Sequence, residues 1–323
     1  MILKALSRRL LPLCAGMALV AGGAVAGDFG KPVSVFHGGP HDMLYDVSLD
    51  GPNGIAVGDF GLVVESGDGG KTWMRQAKAP TDLGLLAVTR KMGRCIAAGQ
   101  QGLIVTADDC QQWHVAASAT HARILAVDVN ASGISYAVGG FGTVLKSGDW
   151  GKTWQPLTPD WKAFTSDGAE PHLYDVHVAD NGEVTVVGEF EMVIRSRDGG
   201  ATWNLLHKGK RSLFGLKVMD NGDLYAVGQE GLILKASDGR WAEQESGTKS
   251  ILTGIWAKPD GQVVAAGIYT ILYSADGGKS WRMDQSRPAR AGWHQALAGS
   301  DEGGGRLNVV LVGSGGAILT VQR

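Results

Sequence analysis

The residues of this chain best suited to chemistry are its arginines, carboxylates and histidines. Arg75, Arg90, Arg94, Arg123, Arg195, Arg197 and Arg211 are spread over much of its length. A hydrolase acting on a carboxylated sugar needs three arginines to clamp the carboxylate. It also needs a tyrosine nucleophile partnered by a glutamate, and an aspartate acid. These arginines mostly fall in strand or turn regions at unmatched positions of a repeating pattern, and no Arg-Ile-Pro stands near the start of the mature chain. His41, His121 and His172 lack the spacing of a metal site. There is no Ser-His-Asp spacing, no phosphate-cradling glycine loop and no CxxC pair. The expectation is therefore no catalytic residue, no metal and no cofactor.

A second set of residues suits recognition. Phe60, Phe141, Phe190 and Tyr269 occupy short turns, with Asp59, Glu189, Glu191 and Glu230 among them. His41, His172 and Trp293 lie just ahead of apolar strands, and Trp161 and Phe164 fall in an insertion between Pro156 and Pro171. Aromatic side chains with acidic neighbours make a docking site for a protein loop. The competing reading is that these aromatics plug the mouth of a channel and the histidines are ordinary surface residues. Asp46 and Asp175 stand at strand positions occupied elsewhere by Ala or Gly, and burial in a low-dielectric lumen would raise their pKa values.

The elements that must position these residues are written as a repeat. VGDFGLVVESGDGGKTW (residues 57–73) returns as AGQQGLIVTADDCQQW, VGGFGTVLKSGDWGKTW, VGEFEMVIRSRDGGATW, VGQEGLILKASDGRW and AGIYTILYSADGGKSW. A seventh copy, VGSGGAILTVQR, stops before its Trp. The first glycines (Gly58, Gly99, Gly139, Gly188, Gly228, Gly267 and Gly313) recur at roughly 40-residue steps, the spacing of a propeller blade. A short apolar strand such as Leu44–Val47 or Leu173–Val176 precedes each copy, and no segment shows sustained helical periodicity. The turns at Asp68, Asp149, Asp198, Asp238 and Asp276 are structural. Asp accepts backbone N–H groups across the bend, and Trp73, Trp113, Trp154, Trp203, Trp241 and Trp281 then pack between sheets.

The expected fold is all-β, a seven-bladed propeller of four-stranded blades over residues 27–323. Val33–His37 belongs to no repeat, so it supplies the missing outer strand of the last blade and closes the ring. Long insertions at 156–171 and 282–306 fall on the face where the inner strands begin, which marks a binding face.

Residues 1–26 read as a secretory signal peptide. Lys4, Arg8 and Arg9 precede an apolar run from Leu10 to Val25, and cleavage after Ala26 places the mature protein in the periplasm. Losing three basic residues takes the formal charge from −2 to about −5. That argues against nucleic acid as a partner and against adhesion to anionic lipid. No later stretch is long and apolar enough to span a bilayer. Cys95 opens one strand and Cys110 replaces a glycine in the neighbouring turn. In an antiparallel hairpin these positions meet, so an exported protein is expected to join them as a disulfide.

The recurring VGxxGxIxxSxDGGxTW pattern, over essentially the whole mature chain, resembles Asp-box (BNR) propellers. More narrowly it is similar to the photosystem II stability/assembly factor-like family. The resemblance implies an exported, non-enzymatic propeller that assists assembly of a membrane-protein complex. Many relatives occur in bacteria without photosystems, often beside RND-type exporters, which makes an envelope or inner-membrane protein complex the implied partner. The photosynthetic members present an arginine patch, whereas this chain has only the Lys208-Gly209-Lys210-Arg211 cluster. The alternative reading is a carbohydrate-binding protein or a divergent sialidase-like glycoside hydrolase.

Overall fold

A computed structural model describes residues 29–303 and 306–323; residues 1–26, expected to be a signal peptide, lie outside them. Seven four-stranded antiparallel sheets form the molecule. The inner strands are Leu44–Asp50, Leu85–Lys91, Ile124–Val129, Leu173–Val178, Leu213–Val218, Leu252–Ala257 and His294–Gly303. Each packs beside the next, and the seventh packs beside the first, so the sheets form a closed ring: a seven-bladed β-propeller. In the first blade the remaining strands are Asn53–Gly58, Val63–Ser66 and Met74–Arg75. The seventh blade takes its outer strand from Val33–Phe36, with Val33 opposite Thr320. Gly30 N–H adds a further bond to Gln322 O at 2.8 Å, and the Phe29 ring stacks on Tyr273 of the sixth blade at 4.8 Å.

The second strand of a blade is sandwiched between both neighbouring sheets, so it buries both faces. Ser135–Gly139, Val184–Gly188, Leu224–Gly228 and Val263–Gly267 are buried at every position. This is why these strands read as continuous apolar runs without the alternation of a half-exposed sheet. The core is consequently divided into inter-blade layers. One such layer joins Leu44, Ala56 and Trp73 of the first blade to Val310 and Ile318 of the seventh.

The repeating glycine at the end of each second strand has a single steric cause. The inner strand bulges there, and its carbonyl crosses directly over the glycine. A Cβ at Gly58 would lie 1.9 Å from Met43 O, and one at Gly313 would lie 1.8 Å from Trp293 O. No side chain fits at such a distance, so all seven copies keep glycine. The crossing carbonyl accepts the next N–H, as Met43 O does from Asp59 at 3.0 Å.

The Asp turns are built as hydrogen-bond cages. Asp68 Oδ1 accepts the N–H groups of Lys71 and Thr72 at 2.9 Å, and Thr72 Oγ1 donates to Oδ2 at 2.6 Å. The Trp73 indole donates to Gly70 O at 2.9 Å. The Thr72 hydroxyl and amide hold the Asp68 carboxyl at about 2. The same cage recurs at Asp149, Asp198 and Asp276. Asp238 departs from this expectation. The fifth blade pairs Ser237 with Arg240 directly, so Asp238 and Gly239 (φ 50° and 73°) form a two-residue hairpin with no cage. In the second blade Asp109 accepts the amides of Gln111 and Gln112, and Cys110 takes the left-handed glycine position at φ 60°. Cys110 is bonded to Cys95, with Cα atoms 5.1 Å apart.

Candidate functional site

The turn joining second and third strands has the form Gly-x-x-Gly in most blades, and its third residue takes the left-handed conformation. That residue is Phe60 (φ 52°), Gln101 (56°), Phe141 (54°), Phe190 (62°), Glu230 (57°) or Tyr269 (55°). The region favours Gly or Asn, and an aromatic there costs about 1 kcal/mol. The side chains gain no burial in return: Phe60 is 74% exposed and Phe141 69%. Tyr269, Phe190 and Trp293 are also exposed. The set lies on one face, because each of these turns bonds to the segment leading into an inner strand. Tyr269 N–H donates to Gly292 O at 3.1 Å, and Gly142 N–H donates to Pro171 O at 2.9 Å.

An aromatic track crosses this face. Phe141 meets His172 at 5.0 Å between ring centroids, His172 meets Tyr174 at 6.4 Å, and Tyr174 meets Phe214 edge-on at 4.9 Å. This track leads from a blade tip to the mouth of the central channel. The mouth is a 640 Å³ cavity lined by Tyr45, Arg123, Tyr174, Phe214 and Trp293, with Asp46 and Asp175 deeper in its wall. The Tyr45 hydroxyl donates to Asp59 at 3.0 Å; burial and that carboxylate push its pKa up to about 12. On the far side His41, Tyr269 and Trp293 line a shallower hollow of 350 Å³. Of the residues assigned to recognition from the sequence, Trp161 and Phe164 do not join the face. The helical turn Trp161–Phe164 folds both rings inward, leaving them 6% and 9% exposed in the layer between the third and fourth blades.

The channel carboxylates act as inter-blade bridges. Asp46 accepts the N–H of Val47 through Oδ1 and that of Val88, in the next blade, through Oδ2. Asp175 does the same for Val176 and Leu216. An inner strand is an edge strand, and these carboxylates satisfy amides that no sheet partner reaches. Burial pushes Asp46 up to about 7 and Asp175 up to about 8. Asp128 was not singled out by the sequence pattern, yet it bridges Val129 to Val178 two positions further along its strand. Strand alternation carries that signal, since third and fifth positions share a face. His177 Nδ1 lies 3.5 Å from Asp128. Burial pushes the Asp128 carboxyl up and the His177 imidazole down.

The arginines do not converge. Arg75, Arg90 and Arg94 approach Asp42, Glu65 and Asp108 respectively, while Arg195 and Arg197 share Glu183. Arg211 donates to Glu191 at 2.8 Å and grips Glu243 with both terminal nitrogens, tying the fourth blade to the fifth. Lys208 donates to Phe164 O at 2.7 Å, so the cluster at 208–211 is largely consumed within the fold. Burial opposes ionisation of Glu191, but Arg211, His207 and the Lys210 amide outweigh it and hold the carboxyl at about 2. Among the described residues no three His, Cys, Asp or Glu side chains gather as a metal site.

No protein-family model matches the sequence, and no curated protein matches it. Solved structures match its fold. YCF48 bound to D1 peptide superposes with a TM-score of 0.72 at 18% identity, covering 91% of this chain and 98% of that one. YCF48 from Cyanidioschyzon merolae gives 0.72 at 17% identity, covering 90% and 98%. The GH74 xyloglucanase from Xanthomonas campestris gives 0.70 at 16% identity, with 90% of this chain spanning 53% of that enzyme. At these identities the likeness is one of fold: this chain is built like the YCF48 propeller along nearly the whole of its described length.

Proposed function

We propose that this protein is an exported, non-catalytic docking factor that assists an envelope membrane-protein complex in the periplasm. An RND-type exporter is the first candidate client. The observation that carries the reading is the row of exposed aromatics held in left-handed turns on one face of the ring. The left-handed turn recurs in blades that carry Gln101 or Glu230 there, so it is the exposure of the large rings, which stabilises nothing within the monomer, that is the expected mark of a surface kept for recognition. YCF48, a propeller of the same fold, has been solved bound to D1 peptide, which supports a polypeptide segment as the occupant. The paired arginines and caged aspartates support a role without turnover. Replacing Phe60, Phe141 and Phe190 together by Ala tests the reading. Recovery of the client complex should fall while the fold, followed by circular dichroism, is unchanged; undiminished recovery contradicts it.

A second reading, glycan binding, is favoured by the same aromatic track, since sugar rings stack on such platforms, and by the xyloglucanase likeness. It predicts saturable binding of an oligosaccharide that the triple variant loses.

A further inference from the structure

A separate cavity lies at the seam where the ring closes. It measures 370 Å³, within the range of small-molecule sites, and three elements of different origin wall it. The closing strand supplies Ser34, and His37 follows directly after it. The helical turn Arg287–Arg290 supplies Arg287 and Pro288, and the seventh blade supplies Ala317 and Leu319. Trp293 closes one side.

The walls are fixed from behind. Asp284, itself buried, accepts the Ser286 amide at 2.7 Å ahead of the helical turn. Trp293 N–H donates to Ser314 Oγ at 3.0 Å, and the His37 ring bonds Ser34 Oγ at 2.7 Å. His294 is 5% exposed, and its Nε2 lies 3.0 Å from Ala289 O. A carbonyl only accepts, so Nε2 carries the proton and Nδ1 is left as a bare acceptor. Burial lowers the His294 pKa and keeps the ring neutral.

The polar chemistry of the cavity is lopsided. Arg287 lines it, is exposed, and makes no ion pair or hydrogen bond among the described residues. The remaining walls are dominated by Pro288, Trp293, Ala317 and Leu319. A planar guanidinium without a partner, at the rim of an apolar hollow, fits a carboxylate in two parallel hydrogen bonds. The apolar body of the same ligand then fills the space under the indole.

We infer that this seam cavity is a binding site for a small monocarboxylic acid with an aromatic or alkyl tail, its carboxylate on Arg287 and its tail between Trp293 and Leu319. The site adjoins the docking face and shares Trp293 and Ser314 with its hollow, but the assignment rests on the seam residues and does not depend on polypeptide docking. An occupant would contact the first strand and the last blade together, so it would reinforce ring closure and raise thermal stability.

The test is calorimetric titration of the mature protein with phenylbutyrate, with phenylbutanol as the uncharged isostere, together with thermal unfolding. The acid should bind saturably, exceed the alcohol in affinity by about tenfold, and raise the melting temperature. Arg287→Gln, at an exposed position, should bring the two ligands to similar affinity. Ala317→Phe should abolish binding of both by filling the hollow. Absence of saturable binding, equal binding of acid and alcohol to the unaltered protein, or a preference that survives Arg287→Gln would each overturn the assignment. Should Ala317→Phe disturb folding, the Arg287 variant decides alone.

Discussion

Asp46 of the first blade accepts the backbone N–H of Val88 in the second at 2.8 Å, while its other oxygen accepts the N–H of Val47. One carboxylate therefore joins two edge strands across the channel wall. Asp175 and Leu216 repeat the relationship between the fourth and fifth blades. Where the equivalent residue is Gly215, the next inner strand comes closer instead: a Cβ there would lie 2.8 Å from Thr253 O. The ring thus uses two kinds of joint, carboxylate-bridged and close-packed.

The bridged joints predict a pH dependence. Folding raises the Asp46 and Asp175 pKa values, to about 7 and about 8, above those of an unfolded chain. The folded state then binds more protons, so this contribution is full below about pH 4 and is lost as pH rises through 7 and 8. The slope is at most about 1.4 kcal/mol per pH unit for each group. In denaturant titrations between about pH 5 and pH 8, Asp46→Asn with Asp175→Asn should flatten the decline, while losing about 1 kcal/mol at every pH from the acceptor each amide lacks.

The disulfide should matter to stability and not to docking. Cys95 and Cys110 are 15 residues apart, and a loop of that length contributes about 3 kcal/mol when cross-linked. Unfolding of the Cys95→Ser, Cys110→Ser variant should occur at correspondingly lower denaturant, with the blade order unchanged.

Two aspartates in matching repeat positions should respond differently. Asp68→Asn disrupts a cage of three amide and hydroxyl donors and should cost about 1–2 kcal/mol. Asp238→Asn, in a hairpin where Asn also tolerates positive φ, should change stability by less than about 0.5 kcal/mol. Equal losses in thermal unfolding would refute the distinction.

The strained aromatics predict a trade-off between stability and recognition. Phe60→Gly should raise stability by about 1 kcal/mol, because glycine takes φ 52° without strain. The same change should weaken docking, since it removes a ring that is 74% exposed. Unchanged or lower stability would show that Phe60 is held by contacts within the monomer.

Much of this fold is legible in the sequence because its glycines and Asp turns answer to steric demands repeated in every blade. Gly58 and Gly313, 255 residues apart in chain number, each meet a carbonyl crossing in the same way, and any reader of the pattern finds both. Ring closure by Val33–Phe36 was legible for a similar reason, as a strand without a sheet facing a sheet without a strand. The site was less legible. Trp161 and Phe164 sit in an insertion, and an insertion's sequence does not say whether its aromatics face solvent or the blade beneath. Arg211 looked like part of a basic loop because Glu191 and Glu243, its partners, lie 20 and 32 residues away in sequence. Asp128 is hidden from the repeat because it stands fifth in its strand, two residues beyond the position that Asp46 and Asp175 share.

The most direct test of the docking surface is photo-cross-linking in living cells. A photoreactive amino acid would be placed singly at positions 60, 141, 269 and 293, and, as controls on the Asp-turn face, at positions 72 and 153. The docking account predicts that the first four positions capture one and the same membrane protein of the envelope, and that the controls do not. Capture from the Asp-turn face alone, or adducts indifferent to the face chosen, would contradict it.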